Sequence, residues 1–248
     1  ENMIHIQQDY GDIRSQLDAL DAMEAAGVRG IVMNPIHCPE VAAKINALYE
    51  RGIRVVTINS DITQSKRIAY VGCHDRKSGE VLAGLLGLIA NAAPMKVGVI
   101  AGPTHNLAVI RRKSGMLETL ATSFPNIEVT SAYENENNEE LSYQLTHQML
   151  AACPALDTLC VLGSGIIGCL NAVRERNAEK RIRVVVYDLI DEVRQALMDG
   201  VVDATIIQEP FRQGYDGVQI IAKYLAYNQL PERELNYTSL SILTRYCL

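Results

Sequence analysis

Short apolar runs alternate with stretches of helical period along almost the whole chain. Asp12 precedes an inward face of Ile13, Leu17, Leu20 and Glu24 at helical spacing, which Gly27 closes. Residues 30–33 form a short apolar strand pattern. Pro39 opens the next helix and Gly52 ends it, as the preference for proline first and glycine last predicts. Strands follow at 53–58 and 68–71, a helix over about 76–92, a strand at 97–100 and a helix over 107–122 that stops before Pro125. Residues 127–132, 158–162 and 240–244 read as further strands, and 139–152, 165–176 and 211–227 as helices. The segment 184–210 supplies a strand, a helix and a strand. An apolar/polar alternation at 3–7 reads as one more strand.

Strands that are apolar throughout, separated by helices, indicate parallel sheets covered on both faces. The strand–helix pairs are too many for one ordinary sheet, so two α/β lobes are expected. The patches 91–94 and 135–138 read as loops.

Composition adds limits. The chain has 248 residues, 48% apolar and 21% charged, as in ordinary globular proteins. No apolar run reaches the roughly 18 residues of a membrane helix, so no membrane partner is expected. The start, ENMIHIQQDY, shows no basic-then-apolar leader. A net charge of −6 gives no footprint for a phosphate backbone. Six cysteines, Cys38, Cys73, Cys153, Cys160, Cys169 and Cys247, form no C-x-x-C pair and read as reduced thiols of a cytosolic protein. His5, His37, His74, His105 and His147 are dispersed without metal spacing, so no metal and no cofactor is expected. Gly163-Ser164-Gly165 is not a nucleophile elbow, and GPTHNLAV lacks the ending of a phosphate loop. The chain therefore reads as a non-enzyme.

Two neighbouring apolar runs end abruptly in polar residues, Asp188 and Gln208, and RVVTINSD ends in Asn59, Ser60 and Asp61. In open parallel sheets ligands bind beyond the carboxyl ends of the strands. Asp, Asn and Ser also close turns and cap helices there, and that reading stays open. Glutamine is a poor cap and a poor turn former, which makes Gln208 the most pointed of the set.

The ordered set NPIHCPEVAAKINALYERGIRVVTINSD, YVGCHDRKSGEVLAGLL, RRKSGML, VVYDL and IIQEPFRQGYDGVQIIAKYL resembles the periplasmic sugar-binding-protein superfamily. More closely, it resembles the effector-binding core of LacI-type transcriptional repressors. The resemblance implies two Rossmann-like lobes with a three-crossover hinge: 1–76 plus 209–237, and 77–208 plus 238–248. It implies a small polar ligand, often a sugar, contacted by Asn59, Ser60, Asp61, Arg112 (in Arg112–Gly115), Asp188 and Gln208. Asp75 begins the D-x-x-x-G pattern with Gly79, a helix cap. Where the family has Asn-Asp after the strand 158–162, this chain has Gly163-Ser164-Gly165, which moves that contact to Ser164 or loses it. The resemblance also implies that the first lobe lacks its first strand and helix.

Asp supplies acceptors, Arg donors, and Asn, Gln and Ser both, a set suited to hydroxyls. Arg112 also permits fork-like pairing with a carboxylate or phosphate, although Arg111 and Lys113 beside it fit a solvated helix charge equally. Tyr10, Tyr187 and Tyr215 are candidate stacking platforms. The leading expectation is the cytoplasmic, homodimeric sensor core of a LacI-type regulator. It would bind a small-molecule effector and reach operator DNA only through an N-terminal segment absent here. The alternative is a monomeric periplasmic sugar receptor of an ABC transporter.

Overall fold

The computed structural model describes residues 11–103, 106–176 and 181–248. The expected strand at 3–7, with His5, Tyr10 and His105, lies outside them. The chain divides into two compact α/β units, the first containing the residues up to Cys73 and Glu209–Ser239. The second contains most of the chain between His74 and Gln208, and Leu240–Leu248.

In the first unit the strands β1 (Gly30–Met33), β2 (Arg54–Ile58), β3 (Ala69–Gly72) and β9 (Leu235–Tyr237) form a parallel sheet in the order β1-β2-β3-β9. Successive strand residues face opposite sides. Ile31 and Val55 therefore pack with α1 (Ile13–Ala25) and α2 (Pro39–Glu50), through Leu20, Val41, Ile45 and Leu48. Val32 and Val56 pack on the other face against α8 (Pro210–Tyr227) through Ile221. With both faces covered, alternation disappears from these strands. Helix α8 lies close enough that a Cβ at Gly30 would meet Ile221 Cγ2 at 2.3 Å. The predicted signals hold here: Asp12 Oδ1 accepts the Ser15 N–H at 2.9 Å, Pro39 begins α2, and Gly27 and Gly52 adopt φ of +75° and +86°. Strand β9 was not expected. It is a three-residue strand with no apolar run to reveal it.

In the second unit, β4 (Met95–Ala101), β5 (Ile127–Glu134), β6 (Thr158–Val161), β7 (Arg183–Tyr187), β8 (Ala204–Ile207) and β10 (Ser241–Leu243) form a sheet ordered β10-β8-β7-β6-β4-β5. All pairs are parallel except β10, which runs antiparallel along β8 at the edge. Helices α3 (Asp75–Ala90) and α4 (Leu107–Ser123) bury Leu82, Leu86, Met116 and Leu120 against Val97, Val99, Cys160 and Val185. Helices α5 (Glu139–Ala152), α6 (Ile166–Arg176) and α7 (Asp191–Met198) cover the other face through Met149, Leu170 and Val193. Each such fully buried side chain contributes about 1.5–3 kcal/mol of transfer free energy. Among the described residues no helix is long and apolar enough to cross a membrane.

Candidate functional site

Polar residues gather at the carboxyl ends of the strands in each unit. In the second unit, β6, β7 and β8 are followed directly by Leu162, Asp188 and Gln208, and α4 directs Arg112 toward them. Arg111 and Lys113 are partly exposed while Arg112 is 4% exposed, so the middle of three basic residues is the one turned inward. The solvated-charge reading therefore does not apply to Arg112. Its Nε donates to Ser78 Oγ at 3.2 Å, Nη1 to the Leu162 carbonyl at 2.5 Å and Nη2 to Gln208 Oε1 at 2.7 Å. The guanidinium carbon sits 3.9 Å from the centroid of the Tyr187 ring, a cation–π contact. Gln208, also buried, turns its other end to Asp188: Nε2 donates to Oδ1 at 3.0 Å and Oδ2 at 3.2 Å. A glutamine has both a donor and an acceptor, so it passes polarity from guanidinium to carboxylate. Asp188 is half-buried, and a carboxylate with about four lone-pair sites keeps acceptor capacity beyond these two bonds.

Ser164 occupies an exposed turn after β6. Its hydroxyl reaches Asn137 Oδ1, and its carbonyl accepts from Asn135 Nδ2 at 2.6 Å. Asn135 is fully buried, bonds Ser142 Oγ at 3.0 Å, and leaves no room for a side chain at Gly165, whose φ is +80°. Asn135 was missed in the sequence, where it read as part of a polar loop.

In the first unit Asn59 follows β2 with φ of +63°, and Tyr70 Oη donates to its carbonyl at 3.0 Å. The Ser60 N–H donates to Asn34 Oδ1 at 3.3 Å. Ser60 Oγ is buried and has no hydrogen-bond partner among the described residues, a costly state for a hydroxyl unless a ligand or water completes it. Asp61 requires a correction. Its Oδ2 accepts from Arg67 Nη2 at 2.7 Å, and its Oδ1 accepts from Arg67 Nε and, at 2.9 Å, from Thr57 Oγ1. Both side chains of this ion pair are 2% exposed. Burial pushes the Asp61 carboxyl up, but the Arg67 hydrogen bonds and charge prevail and hold it below the usual carboxylate range. Asp61 is thus an internal anchor of the loop after β2 and not a ligand contact. Arg67 also donates to Glu234 Oε1 at 2.7 Å, tying that loop to the segment before β9.

The left-handed backbone recurs at these strand ends. Asn59, Asp188 and Glu209 have φ of +63°, +66° and +56°. Two smaller expectations also change. Tyr187 is fully buried beneath Arg112 and is no platform for a ligand ring, whereas Tyr215 is exposed on α8 beside Phe211. The cap of α3 is His74, whose Nδ1 accepts the Lys77 N–H at 3.3 Å, and Asp75 is the first helical residue. Among the described residues no group of three or more His, Cys, Asp or Glu side chains is placed to hold a metal.

The pattern of the periplasmic binding protein domain matches residues 2–229. The chain belongs to this family. Among curated periplasmic binding proteins, a D-ribose/D-allose-binding protein of Pseudomonas aeruginosa is 26% identical over 234 residues, covering 92% of this chain and 72% of that one. A D-allose-binding periplasmic protein of Escherichia coli is 20% identical over 239 residues, covering 91% and 76%. Among solved structures, an ABC transporter solute binding protein from Burkholderia graminis, in complex with D-arabinose, superposes with a TM-score of 0.91 at 20% identity, covering 98% and 84%. That likeness concerns the fold: α/β, with parallel sheets in two lobes.

These relatives overturn the regulator expectation. The two curated relatives are named for binding sugars and the solved structure as an ABC transporter solute binding protein, and nothing in them supports a LacI-type repressor. The operator DNA, the homodimer and the cytoplasmic location fall with it. The misreading has a physical source. The quoted segments mark strand ends and helix starts of a periplasmic-binding-protein-like fold, and those positions say little about what a binding domain is attached to. The tail LSILTRYCL supplies the edge strand β10 and one turn of 3-10 helix.

Proposed function

We propose that this chain is the sugar-binding component of an ABC-type uptake system, working outside the cytoplasm and catalysing no reaction. The observation that carries the reading is the hydrogen-bonded chain from buried Arg112 on α4 through buried Gln208 to half-buried Asp188, beyond the ends of β7 and β8, in a domain whose relatives are named for ribose, allose and arabinose. Asp188 accepts from sugar hydroxyls while Gln208 and Arg112 hold its carboxylate. Ser164 is a further contact within the same unit, and the first unit has its own candidates in Asn59 and Ser60, whose orphaned hydroxyl supports that assignment. Asp61 is not part of this set. A site built from such groups rejects an analogue that lacks the matching hydroxyl, because its own polar atoms are then left unpaired.

The test is thermal unfolding with D-ribose, D-allose, D-arabinose, D-glucose and D-galactose. A ligand at 100 times its dissociation constant adds about 2.7 kcal/mol. In a chain of this length that raises the melting point by about 5–10 °C. No shift with any of these sugars overturns the reading.

A further inference from the structure

Arg112 is held by more than its link to Gln208. Ser78 is fully buried in the first turns of α3, and its hydroxyl donates to the Asp75 carbonyl at 2.7 Å. That bond fixes the hydroxyl rotor and turns its lone pairs to Arg112 Nε, 3.2 Å away. The carbonyl of the same Ser78 accepts the Tyr187 hydroxyl at 2.8 Å, which holds the phenol ring beneath the guanidinium carbon. One α3 residue, 34 and 109 positions from its partners, thus grips both the edge and the underside of Arg112. The helices leave no slack around it. A Cβ at Gly115 would lie 2.1 Å from the Arg76 carbonyl oxygen.

We propose that Ser78 and Tyr187 are positioning residues for sugar recognition, an assignment that rests on the sugar-binding reading. At 0% and 1% exposure neither reaches a ligand, so they act through Arg112. An arginine side chain free to sample its rotamers must be ordered when the ligand binds, and that ordering weakens affinity. The Ser78 acceptor and the Tyr187 ring complete that ordering beforehand. Arg112 then holds Gln208, and through it Asp188, in one orientation.

The test is a double-mutant cycle read by titration calorimetry with D-ribose, D-allose and D-arabinose. Ser78→Ala weakens binding about tenfold in the wild-type background, the size of one lost charge-assisted hydrogen bond. In an Arg112→Lys background, which has no Nε to hold, the same change weakens binding less than twofold. The melting point of the unliganded chain also falls less in the Arg112→Lys background, where the Nε bond is already gone, so affinity is measured on fully folded protein, which separates positioning from plain stability. Tyr187→Phe removes one oxygen, keeps the ring, and carries the test if Ser78→Ala fails to fold. It weakens binding by severalfold with the same dependence on Arg112. Equal loss of affinity in both backgrounds, or none in the wild-type background, overturns the assignment. A wild-type chain that binds none of the sugars overturns instead the reading on which it rests.

Discussion

A Cβ at Gly79 would lie 2.0 Å from the main-chain carbonyl oxygen of Arg112. Helices α3 and α4 therefore touch backbone to backbone one residue after Ser78, at the turn that carries the buried arginine. The obstacle is main chain, which cannot swing aside as a flexible side-chain tip can. Gly79→Ala is expected to separate the helices and cost at least the 1–3 kcal/mol typical of overpacking. It should also weaken sugar binding through the displaced guanidinium. Melting points with and without D-ribose check both effects, and an unchanged melting point would contradict the close crossing.

Gln208→Leu keeps the size of the side chain and removes its hydrogen bonds to Arg112 and Asp188. Arg112 Nη2 then loses an acceptor and Asp188 a donor, in a place with little access to water. The unliganded chain should lose about 1–3 kcal/mol, measured by urea unfolding, as well as its sugar response. Arg112→Ala should be at least as damaging to the unliganded chain, because it strands the Leu162 carbonyl and Gln208 Oε1 together.

The Asp61–Arg67 pair sets an acid limit on the first unit. Asp61 titrates below its ordinary value near 3.8 in the folded chain. A depressed folded pKa stabilises the fold above the unfolded value, and that contribution is lost as pH falls through the folded one. Stability should therefore drop below about pH 4, and Asp61→Asn should flatten that part of the profile while lowering stability at pH 7. Sugar affinity at pH 7 should survive in the Asn variant better than in Asp188→Asn, since Asp61 serves the loop. Chemical denaturation from pH 2.5 to 7 distinguishes the cases.

Thiol labelling offers a separate check on the packing. Cys247 is exposed, and hydrogen bonding from the Thr244 backbone lowers its pKa. Burial pushes Cys160 and Cys169 up to about 12. A disulfide reagent at pH 8 should label Cys247 first, the half-buried Cys38 and Cys153 more slowly, and Cys160 and Cys169 only on unfolding. Early modification of Cys169 would contradict the packing of α6.

Much of the fold was legible because its signals are local. Periodicity marked the helices, glycines closed them, and apolar runs marked the buried strands. Asp188 and Gln208 were legible as the polar ends of such runs. What escaped was non-local or lacked contrast. Strand β9 has three residues and no pattern. Arg67 gave no sign that it would neutralise Asp61 across a turn, so a strand-end acid was read as a ligand group. Nothing near Ser78 announces partners that are distant in sequence, and Tyr187 looked like any aromatic until its ring was found under Arg112. The biological setting was misread because the residues that shape a binding domain do not report what that domain serves.

The left-handed residues after β2 and β7 carry an evolutionary consequence. Glycine adopts the conformation of Asn59 and Asp188 without strain, whereas a residue bearing a Cβ sacrifices on the order of 1 kcal/mol there. A laboratory lineage bred only for heat tolerance would therefore drift toward glycine at 59 and 188. Under the proposed function its descendants would gain stability and lose sugar affinity, because the strained corners are where these two polar side chains sit.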